Sequence, residues 1–210
     1  TLDFARRGVL AASISAVDVA LWDLKGKALN QPVSVLRGGQ HRKRVVPYET
    51  GLYFSESDNL IEKLVAEAKT YVEQGFKAIK MKVGLSVTQD IAMVKAIRKA
   101  IGDDVKLMID SNHAYSLREA TKLSLAVEQY NIGWFEEPVS PEYYHHYKEL
   151  RTKTTIPIAG GECEYLRYGF QTLLQNDCVD ILQVDICGSG GLSEAKRIST
   201  LANTRGIEIV

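Results

Sequence analysis

Four acidic residues recur along the chain at nearly one spacing. Asp110 (in MID), Glu136 (WFEEP), Glu162 (AGGE) and Asp185 (LQVD) each sit at or just past the end of a short apolar run, and successive members lie 26, 26 and 23 residues apart. Each spacing is the length of one strand–helix unit, so the four carboxylates stand at equivalent ends of successive strands. A single Asp ending a strand is commonly a helix cap. Four in register are harder to explain that way. Like charges held together raise one another's pKa unless a cation joins them. Hard oxygen ligands arriving from separate strands suit Mg²⁺, or Mn²⁺. One unit earlier stands Lys80-Met81-Lys82. Residues i and i+2 of a strand point the same way, so both ammonium groups face the carboxylates. Paired cations lower each other's pKa, which leaves one amine able to act as a base near neutrality. The bland reading is a pair of surface lysines guarding an edge strand. It sits poorly with the apolar surroundings in KAIKMKV.

The remaining polar residues are more ambiguous. Asn112 lies two positions past Asp110, where it could donate to a substrate carboxylate, support a ligand, or cap a helix. His113 could form a polar wall of the pocket. Glu137 follows Glu136 by one residue, so it should point away and pair with a basic group. His145 and His146, in the YYHHY run, read as surface or packing residues. CGSGG at 187–191 could cradle an anion at a helix start, but without a P-loop Lys a tight strand–helix turn is the better reading. Cys163, Cys178 and Cys187 are an odd count without metal spacing, read as buried or partly buried free thiols in a reducing compartment.

The elements that must position these groups alternate regularly. Strand candidates are VVPYETG, KAIKMKVG, VKLMIDSN, WFEEP, IPIAGGE, VDILQVDI and a final IEIV. Between them run amphipathic helical stretches, with a Gly stop after SDNLIEKLVAEAKTYVEQG and Ser116 as an N-cap. That alternation means a parallel α/β sheet with right-handed crossovers. An open doubly wound sheet satisfies the alternation alone. The ring of carboxylates favours a (β/α)₈ TIM-type barrel, whose active sites lie at the C-terminal mouth. Residues 1–40 form a helical lead-in, with small and apolar residues three and four apart as a packing face, and 41–210 form the barrel part.

Composition narrows the partners. Lys+Arg 26 balances Asp+Glu 26 in 210 residues, and no basic stripe is present, which argues against nucleic acid. No apolar run approaches the roughly 20 residues a membrane span needs. The start shows no signal segment, so a cytoplasmic protein is expected.

Taken together, KMKVG, MIDSN, WFEEP, GGE and VDICGSGG, in this order and spacing, resemble the mandelate racemase/muconate lactonizing enzyme family of the enolase superfamily. AVDVALWDLKGK resembles the helix that opens the barrel part in that family. The resemblance implies Asp110, Glu136 and Glu162 as Mg²⁺ ligands and Lys82 as the base on one face of the substrate. It makes Lys80 the group that tunes Lys82 and touches the substrate carboxylate. Asp185 matches the acidic half of a His–Asp dyad whose His lies beyond Val210. The resemblance also implies an N-terminal α+β capping domain and an eighth strand, both missing from this stretch, so that only about strands 1–7 are represented and the protein continues at both ends. It implies symmetric homo-oligomers. Within the family, SNHAYS, WFEEPVSPE, PIAGGE and VDILQVDICGSGG are most similar to acid-sugar enzymes, including galactarolactone cycloisomerases and dehydratases.

The expected chemistry is removal of a proton α to a carboxylate, with the metal stabilising the enediolate. The substrate is a small carboxylate, an acid sugar or its lactone, and the outcome is racemisation, dehydration or cycloisomerisation. Two rivals stand beside it. One is a Schiff-base aldolase with Lys80 or Lys82 as nucleophile, which leaves the in-register carboxylates without a task. The other is a non-catalytic barrel scaffold.

Overall fold

The structure, a computed structural model, describes residues 6–39 and 42–210. The domain boundary expected at residues 40 and 41 lies outside them. Two compact units emerge. The larger comprises Val46–Ala159 and Asn176–Ile181; the smaller comprises Thr1–Val45, Gly160–Gln175 and Leu182–Val210.

The larger unit is built on β1 (Glu49–Gly51), β2 (Ala78–Lys82), β3 (Lys106–Asp110), β4 (Ile132–Glu136) and the first residues of β5 (Ile158–Gly160). Neighbouring strands pair in parallel and in chain order. Helices α3 (Leu60–Glu73), α4 (Val87–Ile101), α5 (Leu117–Val127) and α6 (Tyr144–Arg151) alternate with them, as the periodicity predicts. (The lead-in supplies α1 and α2.) Two of these helices, α4 and α5, start on a side-chain cap. Ser86 accepts the Gln89 N–H, and Ser116 forms a reciprocal capping box with Glu119, devices worth about 1 kcal/mol each. β1 is shorter than VVPYETG suggests, beginning two residues after Pro47, which lacks a strand donor.

The period-2 alternation divides each strand. Ile79, Met81, Leu107, Ile109 and Phe135 are fully buried; each such side chain contributes about 1.5–3 kcal/mol by leaving water. On the alternate positions, Ala78, Met108, Trp134, Ala159 and Ile181 form a second apolar cluster, with Tyr48 against it. Two residues further along β2, β3 and β4 come Lys80, Asp110 and Glu136, so the face that packs apolar side chains at one level carries charge at the next.

The smaller unit holds the lead-in helices α1 (Val9–Leu29) and α2 (Val33–Leu36), then α7 (Leu166–Gln175), α8 (Gly191–Asn203) and β7 (Glu208–Ile209). The two-residue β6 (Ile181–Leu182) straddles the division. The buried positions of α1 are Ala11, Ser15 and Gly26, and α1 docks on the start of α8 through polar groups. Ser15 Oγ accepts the Gly190 N–H (2.8 Å), Asp18 Oδ2 accepts the Ser193 N–H (3.0 Å), and Trp22 Nε1 donates to Ser193 Oγ (3.0 Å). The glycine turn of CGSGG is thus occupied by α1. A Cβ on Gly191 would fall within 2.4–2.8 Å of Asp18, so the glycine serves close helix approach rather than an anion. Among the described residues no helix is long and apolar enough to cross a membrane.

Candidate active site

Register places the charged residues of the larger unit side by side. Lys82 is opposite Asp110 on the neighbouring strand, and Asp110 is opposite Glu136. Lys80 Nζ reaches Glu136 Oε1 at 2.6 Å and Asp110 Oδ2 at 3.3 Å; Lys82 Nζ reaches Asp110 Oδ2 at 2.5 Å and Asn112 Oδ1 at 2.6 Å. Both carboxylates are essentially inaccessible, at 0% and 1%. Trp134 Nε1 donates to the other Glu136 oxygen at 3.1 Å, and the Asn112 N–H donates to Asp110 Oδ1 at 3.0 Å. Lys80, Lys82, Asp110, Asn112 and Glu136 are therefore one contiguous constellation, as their spacing predicts.

The electrostatics follow from that geometry. Burial would raise the Asp110 carboxyl, but the Lys82 hydrogen bond and the charges of Lys80 and Lys82 outweigh it and hold the group below its ordinary range. Burial would likewise lower Lys80, but the charge and hydrogen bond of Glu136, with the charge of Asp110, hold the ammonium above its ordinary value. This corrects the expectation that the two lysines depress each other: for Lys80, the adjacent carboxylates win. Two buried carboxylates on adjacent strands, each met by an ammonium, form a hard-oxygen donor set of the kind that fits a divalent cation such as Mg²⁺.

Beyond this core, Asn112 (φ 42°), His113 (φ 68°) and Glu137 (φ 43°) all occupy the left-handed region. For residues with a Cβ this conformation costs on the order of 1–2 kcal/mol each and clusters at functional sites. His113 N–H donates to the Glu137 carbonyl at 2.8 Å, and His113 Nε2 lies 3.0 Å from Glu137 Oε2. Glu137 does pair with a basic group, but it is buried rather than turned outward. The left-handed φ is what breaks the simple strand alternation.

In the smaller unit, Glu162 is exposed in the turn after β5. Asp185 is exposed after β6, where its Oδ1 accepts the Cys187 N–H at 2.8 Å. All three cysteines are free; Cys187 is exposed, against the expectation that all would be at least partly buried. His145 and His146 pack against Tyr143, as a packing role requires. A roomier cavity of about 470 Å³, among Arg6, Arg7, Tyr165 and Tyr168, holds none of the candidate catalytic groups. Chemistry rather than volume marks the site. Three aromatic residues were missed: Trp134, Tyr48 (ring centroid 5.8 Å from Lys80 Nζ) and Tyr53 (5.6 Å from Lys82 Nζ). Trp134 carried a signal, since it stands two residues before Glu136 on the same strand face.

Comparison with known proteins bears on the family directly. Residues 63–210 match the model described as Enolase C-terminal domain-like, and residues 2–38 match the Mandelate racemase / muconate lactonizing enzyme N-terminal domain. The chain belongs to the mandelate racemase/muconate lactonizing enzyme family of the enolase superfamily. Its barrel part is the TIM-like α/β domain of that family, and the helical lead-in itself matches the family's N-terminal domain. The chain is 41% identical over 208 residues to a D-galactarolactone cycloisomerase of Agrobacterium fabrum, covering 99% of this chain and 55% of that protein. The crystal structure of a 3,6-anhydro-D-galactonate cycloisomerase from Zobellia galactanivorans matches at TM-score 0.95 and 60% identity, over all of this chain and 58% of that one. An L-talarate dehydratase from Polaromonas sp. JS666, complexed with Mg and L-glucarate, matches at TM-score 0.89 and 33% identity, over 97% and 57%. The chain spans about half the length of the curated relatives it matches.

Proposed function

We propose that the intact protein is a Mg²⁺-dependent enzyme that removes the proton α to the carboxylate of an acid sugar, and that its substrate is a ring-closed acid sugar opened by loss of the β-oxygen. The observation that carries the reading is the Lys80–Lys82–Asp110–Glu136 constellation, in which buried carboxylates and amines converge at the ends of three adjacent strands. The ring-closed substrate is suggested by the cycloisomerase relatives, one at 60% identity.

Asp110 and Glu136 would hold the metal, with Glu162 as the third ligand by its place after β5 in the family's order. The metal supplies positive charge to the oxygens on which negative charge develops. Lys82 is the more exposed of the two amines, at 15% against 7% for Lys80, and takes the α-proton once its own has been released. Lys80, held as an ammonium, stabilises the carboxylate that becomes the enediolate. Asn112 orients Lys82, and His113 forms a polar wall. The electron pair left at the α-carbon then expels the β-oxygen, which takes up a proton as the ring opens, and the enol product becomes a keto acid. By the family's order, Asp185 would be the acidic half of a His–Asp dyad.

The Schiff-base alternative needs a neutral amine as nucleophile, whereas Lys80 is held as a cation between two carboxylates, and with Lys82 as nucleophile it leaves the buried carboxylates without a task. The test is proton exchange in D₂O. Intact protein is offered acid sugars and their cyclic forms with Mg²⁺, with EDTA, and with Mg²⁺ restored. Metal-dependent loss of the α-proton signal is expected. No exchange by folded, metal-loaded protein with any of these acids would overturn the reading.

A further inference from the structure

Tyr53 and Phe54 have no part in the proton transfer described above, yet they stand beside it. The turn that carries them, directly after β1, is rigidly built. A Cβ on Gly51 would fall 2.5 Å from the Tyr71 hydroxyl and 2.9 Å from Glu67 Oε1, so the backbone passes α3 at glycine distance. Leu52 is fully buried with φ 56°, an unfavourable conformation for a leucine. It is held there on both sides. Its N–H donates to Glu67 Oε1 at 3.0 Å, and its carbonyl accepts the Lys82 N–H at 3.4 Å. Glu67 is itself fixed by the Tyr71 hydroxyl at 2.6 Å, a bond that pushes the Tyr71 hydroxyl up to about 12. The strained turn therefore ties the β1 loop to the backbone of the proposed base.

The consequence is an aromatic pair turned out of the core. Tyr53 is 57% exposed and Phe54 38%. With Lys82, Asn112, Gly84 and Ser111 they line a cavity of about 250 Å³. The Tyr53 ring centroid is 5.6 Å from Lys82 Nζ. A strained, anchored loop that sets two aromatic rings in one cavity with the proposed base points to a ligand that packs against them.

We infer that Tyr53, with Phe54 beside it, is the specificity-determining surface of this site, stacking on the C–H face of a ring-closed acid sugar and so holding it in the cavity beside Lys82. This rests on the proton-abstraction reading. A closed sugar ring presents adjacent C–H bonds to the negative face of an aromatic ring. An open-chain aldonate breaks that surface with hydroxyls.

The test uses intact, Mg²⁺-loaded protein as wild type, Tyr53→Leu and Tyr53→Phe, each checked for fold by circular dichroism. The cyclic probe is 3,6-anhydro-D-galactonate; the open-chain probe is D-galactonate, read as an inhibitor. In Tyr53→Leu, KM for the cyclic acid should rise about tenfold while kcat stays within about twofold. Inhibition by the open-chain acid should not change, and Tyr53→Phe should restore the wild-type KM. An unchanged KM in Tyr53→Leu, or equal weakening of both acids, overturns the inference while leaving proton abstraction intact. Wild-type protein that exchanges no acid sugar overturns both.

Discussion

Buried carboxylates stand both at the ends of β3 and β4 and at the first turns of α4 and α8, and the two sets are satisfied by different partners. Asp110 and Glu136 face lysine ammonium groups across neighbouring strands. Asp90, at the start of α4, accepts the N–H groups of Ser86 (3.0 Å) and Leu85 (3.4 Å) and the Tyr115 hydroxyl. Glu194, at the start of α8, accepts from Arg167 through its N–H and Nε (both 3.1 Å) and Nη2 (2.5 Å), and from Arg197 at 2.6 Å. Equal burial thus hides two kinds of chemistry. Helix-start carboxylates are satisfied by backbone donors and fixed arginines, and their charge is spent on structure. Strand-end carboxylates are neutralised by lysine side chains, which under the proposed function a metal and a substrate would displace.

The sharpest way to break that distinction is Glu136→Gln. It should lower metal-dependent α-proton exchange on the order of 10³-fold, because the metal's charge stabilisation is worth several kcal/mol. Calorimetric titration should show Mg²⁺ affinity down at least about tenfold, with the fold retained. Mg²⁺ binding that ignores the change would return the scaffold reading.

Asp90→Ala should do the opposite. Removing the acceptor for two N–H groups and a buried hydroxyl should cost about 2–4 kcal/mol of stability in urea unfolding. Exchange per folded molecule should change little. An Asp90→Ala protein that is folded yet inactive would place α4's first turn in the chemistry and erase the contrast.

The smallest effect concerns acid stability. Burial would raise the Glu194 carboxyl, but the hydrogen bonds from Arg167 and Arg197 outweigh it and hold the group below its ordinary value. Its contribution is therefore complete above the unfolded value of about 4.5 and fades as the pH falls through the lower folded value. Unfolding curves of wild type and Glu194→Gln should converge at acid pH and separate towards neutrality. Parallel curves would show that the arginine pairs contribute nothing.

Much of this was written in the chain itself. The order of elements, the Ser116 cap and the recurrence of Asp110, Glu136, Glu162 and Asp185 at strand ends follow from local rules: periodicity, capping chemistry and unit length. Lys80 and Lys82 were legible because period 2 is a property of any strand. Where conformation left the regular menu, legibility stopped. The left-handed backbone at Asn112, His113 and Glu137 turned Glu137 inward against the alternation, and the same conformation at Leu52 turned Tyr53 out of the core. The polar docking of Ser15, Asp18 and Trp22 on α8 was not legible either, since it joins residues more than 170 positions apart.

The sequence by itself determined which residues stand at strand ends and in what order, because strand and helix periods are set by the backbone alone. Only the tertiary structure decided how their charges are balanced. Whether Lys80 is an ammonium depends on Glu136, 56 residues away, meeting it at 2.6 Å in a site closed to water, and no local rule contains that distance.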